Sequence, residues 1–219
     1  MSYIRNRTLP LREMTVYSTI SGFVLAGGAS SRMGRDKALL ELAGVPMLLR
    51  TARLLQSVAG SIAVVGFSEK YRPLTLPLLP DDWPGAGPLG GIATALRAST
   101  VPWNLVVACD LPYLTMAWLD YLVGRALSSQ ADAVLPTSVR GAEPLCAMYH
   151  KRCEPGIRAA LSRGVRKVTD GLASLCIETV EPGEWKRFDS EGVLFENMNS
   201  PAEYEEAKKR LAKRAKPGA

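Results

Sequence analysis

The 219-residue sequence predicts an α/β fold, a single domain built on a mostly parallel sheet with helices on both faces. Two observations lead there. Short continuous apolar runs alternate with amphipathic stretches along the chain, as strands buried on both faces alternate with the helices that cover them. The length suits one substantial core better than two, with no internal repeat, low-complexity tract or linker to divide it.

The elements follow in order. Residues 1–18 have no clear periodicity and are expected to form an extension ahead of a domain over 19–208. Gly22–Ala26 is apolar and breaks into Gly27-Gly28, as a strand entering a glycine loop would. Lys37–Leu42 is a brief apolar stretch, and Pro46 opens an amphipathic helix through Leu48, Leu49, Ala52, Leu54 and Leu55. Ile62–Gly66 and Leu74–Pro80 read as strands. The Gly/Pro-rich segment Pro84–Gly91 reads as a loop into a helix over Ile92–Ala98. Asn104–Cys109 is the clearest buried strand and ends in Asp110. Thr115 is placed to cap a helix over Met116–Leu127. Ala133–Leu135 and Leu145–Tyr149 read as strands, and Ile157–Leu161 and Lys167–Leu172 as short helices. In such sheets ligands bind beyond the carboxyl ends of the strands, so the glycine loop and Asp110 are expected on one rim.

Composition narrows the function. The net charge of +6 is concentrated in Lys208, Lys209, Arg210, Lys213, Arg214 and Lys216, which account for the whole excess. A basic tail over 209–219, preceded by Glu203, Glu205 and Glu206, suits the macrodipole of a solvated helix better than a nucleic-acid face. No apolar run approaches the roughly 20 residues of a bilayer span. The polar start with Arg5 and Arg7 lacks a signal-peptide core, so a cytoplasmic protein without a membrane partner is expected. Cys109, Cys146, Cys153 and Cys176 form no C-x-x-C pair and read as buried or free thiols.

The segment Leu25–Lys37, LAGGASSRMGRDK, carries the chemistry. Small residues let the backbone approach a ligand, and successive N–H groups can form an anion-binding nest. Arg32 and Lys37 add the charge a triphosphate needs, the first as a planar fork and the second as a point charge. No Gly-Lys-Ser/Thr closes the segment and no G-x-G-x-x-G is present, which excludes the two commonest phosphate loops. Composition alone leaves open a glycine-rich turn with two exposed basic residues. Asp110, at the end of a buried strand, is a carboxylate in the right place for a hard cation or, equally in kind, a turn residue before Pro112.

The long form of that segment, continuing through Ala38–Pro46, resembles the signature of the MobA-like nucleotidyltransferases, and within them the molybdenum cofactor guanylyltransferases. Gly87–Ile92, Cys109–Pro112, Glu143–Leu145 and Phe195–Pro201 match further family motifs in order, so the resemblance spans Gly22 to about Lys208. It implies a Rossmann-like fold and transfer of GMP from GTP to molybdopterin, giving the guanine dinucleotide and pyrophosphate. It implies Mg²⁺ on Asp110, and nucleotide contacts at Leu25, Ala26, Gly27, Gly28, Lys37, Asp81 and Asp110, with Asp82 as the alternative to Asp81. Arg32 and Lys37 would stabilise the polyphosphate beside Asp110. Asn197 and Asn199 match the family's N-x-N and would face the pterin, or else cap the helix that Pro201 begins. Carrier or acceptor proteins of the Mo cofactor would be further partners. Where some members carry asparagine after the second strand this chain has Gly66, which has no side chain to offer a base. Relatives that use CTP tend to read L-A-A-G where this chain reads Leu25-Ala26-Gly27-Gly28, favouring GTP. The rival readings are the same chemistry with CTP or another phosphorylated acceptor, and a non-catalytic nucleotide-binding regulator.

Overall fold

The structure, a computed structural model, describes residues 16–27 and 36–214. Its strands and helices run β1 (Tyr17–Leu25), β2 (Glu41–Leu42), β3 (Val45–Pro46), α1 (Met47–Gln56), β4 (Ala59–Val65), β5 (Leu78–Leu79), α2 (Pro88–Ala98), β6 (Trp103–Ala108), α3 (Met116–Ser128), β7 (Ala133–Ser138), β8 (Gly141–Ala142), β9 (Cys146–His150), α4 (Glu154–Ser162), α5 (Val168–Gly171), β10 (Ile177–Val180), α6 (Pro182–Trp185) and α7 (Pro201–Arg214). The main sheet has the order β10-β7-β9-β6-β1-β4-β5, with β8 paired to β7. β9 runs antiparallel to both neighbours, β6 and β7, while β1 pairs in parallel with β4 and β6, β4 with β5, and β7 with β10. The expected mostly parallel α/β sheet is present.

Alternation along the central strands divides the core in two. Leu105 and Val107 of β6 face the layer of α1 and α3, where Leu48, Ala52, Leu55, Trp118 and Leu122 are buried. Val106 faces the other side, against Leu89, Ile92 and Leu96 of α2 and Ile157 and Leu161 of α4. Covered on both faces, Trp103–Ala108 is buried at every residue and apolar except at Asn104, whose amide donates to Tyr149 O at 3.2 Å.

Several boundaries differ from those expected. β1 begins at Tyr17, so Tyr17 and Ser18, assigned to the extension, belong to the sheet; residues 1–15 lie outside the described part. The apolar run Leu74–Pro80 yields a strand of only two residues. Pro73, Pro77 and Pro80 offer no N–H to a ladder, and Thr75 is left-handed (φ 53°). α2 starts at Pro88 inside the expected loop, because Gly87 (φ 70°) turns the chain and Pro88 fits the first helical turn. Thr115 caps α3 as expected, accepting from the Trp118 N–H at 3.3 Å. α7 carries the supposed basic tail as far as Arg214: Leu211 is buried, Lys208 pairs with Glu205, Arg210 with Glu206 and Arg214 with Glu191. Residues 215–219 lie outside the described part. The cysteines are free thiols, three of them buried. Among the described residues no helix is long and apolar enough to cross a membrane.

Candidate active site

Four adjacent parallel strands end on one rim. β6 delivers Asp110, β1 delivers Ala26 and Gly27, β4 delivers Gly66, and β5 leads to Asp81. Hydrogen bonds hold these exits in step: the Cys109 N–H donates to Leu25 O at 3.1 Å, Ala26 to Val65 O at 2.8 Å and Gly66 to Leu79 O at 3.0 Å. Gly66 explains itself here. Its φ is +111°, and a β-carbon would lie 1.9 Å from the Ala26 carbonyl oxygen, so asparagine would not fit this backbone. Gly27, by contrast, is exposed and has open space where a β-carbon would stand. Gly28 and Arg32 lie outside the described residues.

The structure brings Lys37, Asp110 and Asn199 together. Lys37 sits on a 3₁₀ turn, Lys37–Leu39, capped by the Asp36 carboxylate, which accepts from the Ala38 N–H at 3.1 Å. Its ammonium lies 3.7 Å from Asp110 Oδ2 and donates to Asn199 Oδ1. Both charged side chains are largely enclosed, 18% and 23% exposed. Burial raises the proton affinity of the Asp110 carboxyl, and the Lys37 charge opposes that rise. Neighbouring Cys109 is buried and its thiol is pushed up to about 12, first by desolvation, so it remains a neutral core residue. The one histidine, His150, is at the opposite end of the sheet against Trp103. Among the described residues no three His, Cys, Asp or Glu side chains gather around a common point as a metal cage would need.

Asn199 is fixed by the start of α7. Glu203 accepts from the N–H groups of Asn199 (2.6 Å) and Ser200 (2.8 Å), and the Ser200 hydroxyl accepts from the Glu203 N–H (3.3 Å). This is a capping box, and Ser200, not either asparagine, is the cap. Met198 donates to Asp110 O at 2.9 Å, tying the segment to the end of β6. Asn197 is exposed and makes no contact with Lys37 or Asp110.

Asp81 stands apart on the far side of β4. Its Oδ1 accepts from the Trp83 N–H (2.9 Å) and from buried Thr94 on α2 (3.1 Å), fixing the turn into α2. Asp82 turns outward into a fork with Arg97 at 2.5 and 2.7 Å. Of the two carboxylates, Asp81 is therefore the one held at the rim.

A family model described as the MobA-like NTP transferase domain matches residues 22–176. The chain belongs to this family. It is 37% identical over 190 residues to a probable molybdenum cofactor guanylyltransferase of Trichormus variabilis, and 34% identical to one of Nostoc sp., each match covering 84% of this chain and 88% of the relative. It superposes on the crystal structure of molybdopterin-guanine dinucleotide biosynthesis protein A from Archaeoglobus fulgidus with a TM-score of 0.76 at 25% identity, over 88% of this chain and 99% of that one.

For a MobA-like domain, the residues that sequence reasoning passed over are supports. Glu203 was legible as the fourth residue of Ser200-Pro201-Ala202-Glu203. Arg140, on the turn between β7 and β8, donates to the Phe195 carbonyl and lies 3.5 Å from Glu143, joining two motif segments. Tyr71 donates to both Asp36 oxygens, at 3.2 and 3.1 Å. Neither Arg140 nor Tyr71 lies in a segment whose composition marks it.

Proposed function

We propose that this chain transfers GMP from GTP to the terminal phosphate of molybdopterin and releases pyrophosphate. The observation that carries the reading is the Lys37–Asp110 pair, enclosed at the mouth of the glycine segment on the rim of the sheet. GTP and the acceptor rest on the relatives, which are named for guanylyl transfer to the molybdenum cofactor.

An acceptor phosphate oxygen attacks the α-phosphorus of GTP. A phosphoanhydride bond forms as the bond from that phosphorus to the bridging oxygen of the β-phosphate breaks, and the electron pair leaves with pyrophosphate. A phosphate monoester has its second pKa at about 6, so the attacking group is already anionic near neutral pH. No general base is required, which agrees with a site without histidine. Catalysis then consists of positioning and neutralisation of charge. Lys37 faces the polyphosphate, and the family motif gives Arg32 and Gly28 the same task; the backbone at Leu25, Ala26 and Gly27 lies beside it, and Asp81 contacts the nucleotide. Asn199 steadies the Lys37 ammonium on the acceptor side, and Asn197 is free to meet the pterin.

The donor set fits a cation of the Mg²⁺ type. Such an ion takes one or two carboxylates and completes its shell with phosphate oxygens and water, and a single carboxylate with no imidazole or accessible thiolate beside it suits that pattern. Asp110 would hold the ion, whose chemistry would be neutralisation at the α-phosphate. A cytoplasmic enzyme fits the unpaired cysteines, and Mo cofactor carrier or acceptor proteins would meet the same rim.

The test is pyrophosphate release from each NTP with Mg²⁺, with and without molybdopterin. Release that needs both GTP and molybdopterin is expected; equal release from CTP, or release indifferent to the pterin, would reject the reading. Lys37→Ala should lower kcat/KM by roughly 10²-fold or more, the scale of one preorganised electrostatic group. Lys37→Arg should recover only part of it.

A further inference from the structure

We infer that Tyr71 is a positioning residue for the transfer, holding Lys37 on target through Asp36. The eleven residues 26–36 separate the end of β1 from Lys37, and the two described ends of that stretch are tied to one short segment, 65–71, at and after the end of β4. At the entry, Ala26 donates to Val65 O at 2.8 Å and its carbonyl packs against Gly66 so closely that only glycine fits. At the exit, Asp36 is gripped by Tyr71, a residue only 5% exposed within the 3₁₀ turns Glu69–Leu74.

The Asp36 carboxylate serves two partners at once. It accepts from the Tyr71 hydroxyl on both oxygens and from the Ala38 N–H on one. The second bond caps the turn that carries Lys37, and the backbone of that turn closes through Leu39 N–H to Asp36 O and Leu40 N–H to Lys37 O, each at 3.1 Å. Tyr71 thus fixes the side chain that fixes the turn that aims the ammonium. Burial, and next the Asp36 charge, hold the phenol well above its ordinary pKa, so it stays a donor throughout the working range. A misplacement of about 1 Å in a reacting group can cost 10²-fold in rate, so an anchor this close to Lys37 has leverage out of proportion to its own bond. The simpler account is a core tyrosine whose hydroxyl takes the nearest acceptor, with no consequence for Lys37.

A double-mutant cycle separates the two accounts. Tyr71→Phe keeps the ring and loses the hydroxyl. We expect kcat/KM for GTP to fall roughly tenfold in the wild-type background, and less than twofold in the Lys37→Ala background. Asp36→Asn retains an acceptor oxygen for both donors and should stay within about threefold of wild type, whereas Asp36→Ala should lose at least as much as Tyr71→Phe. A Tyr71→Phe effect below twofold, or of equal size in both backgrounds, overturns the inference. The inference rests on the proposed transfer, so the same cycle is run on GTP affinity by calorimetry, which needs no acceptor. GTP binding without transfer in the wild type would reject the acceptor while the affinity cycle still decides on Tyr71, with additive losses counting against it.

Discussion

Asp110 and Asp81 leave the same rim in opposite condition. Asp110, just past the end of the central strand β6, is enclosed at a cost to its charge and lies 3.7 Å from a lysine. Asp81, beyond the edge strand β5, has one oxygen engaged by a backbone N–H and a buried hydroxyl that shape the entry to α2. The contrast separates a carboxylate whose burial disfavours its charge, with a lysine opposing that, from one that the fold uses as a connector. A site that works by charge is recognisable by the first condition, not by the presence of an acid.

The sharpest test of that contrast is Asp110→Asn. It should lower kcat/KM for GTP by about 10³-fold, or ~4 kcal/mol, while leaving the melting temperature no lower than wild type. The sign follows from burial. A carboxyl whose folded pKa is raised favours the fold most when protonated and loses that contribution as pH rises through the raised value, so at neutral pH the amide removes a penalty. A clear drop in melting temperature would make Asp110 a connector like Asp81.

The two glycines beside these acids extend the comparison. Gly66→Ala drives a methyl into the Ala26 carbonyl at a positive φ and should cost about 3 kcal/mol or more in a denaturant melt. Gly27→Ala meets open space, so stability should hold within ~0.5 kcal/mol, while the GTP-to-CTP ratio in kcat/KM falls if this residue borders the base. An unchanged ratio would take Gly27 out of base selection.

Smaller effects belong to the edge. Asp81→Ala leaves the Trp83 N–H and the buried Thr94 hydroxyl without their acceptor and should cost about 1–2 kcal/mol, with Asp81→Asn recovering most of it. Asp82→Ala removes an exposed pair with Arg97 and should cost no more than ~0.5 kcal/mol, so a larger loss there would exchange the roles of the two acids.

Much of this arrangement was legible in the residues because local rules decide it. The continuous apolar run Leu105–Cys109 reads as a strand covered on both faces, and Thr115 declares the helix that follows. What stayed hidden depends on distant partners. Ile177–Val180 joins the sheet at an edge, where half-exposed residues carry no strong pattern. The reversed direction of β9 is a matter of topology, not of composition. Tyr17–Ser21 reads as polar, and the pairing with β4 is irregular there. In the site, Lys37, Asp110 and Gly27 announced themselves through residue type and resemblance. The Lys37–Asn199 contact, 162 residues apart, could not be read from either segment alone.

That contact gives α7 a part in the timing of the molecule's motions. The helix holds the domain by Ala207, Leu211 and the hydroxyl of Tyr204, over a small core shared with Leu40, Leu42, Met47 and Tyr113. Its ion pairs with Glu191 are exposed and weaken in salt. The sheet beneath has two full layers to lose before it opens. Amide protons in α7 should therefore exchange through a cheaper, local opening than those of β6, and each such opening frees Asn199 from the lysine while every strand stays paired.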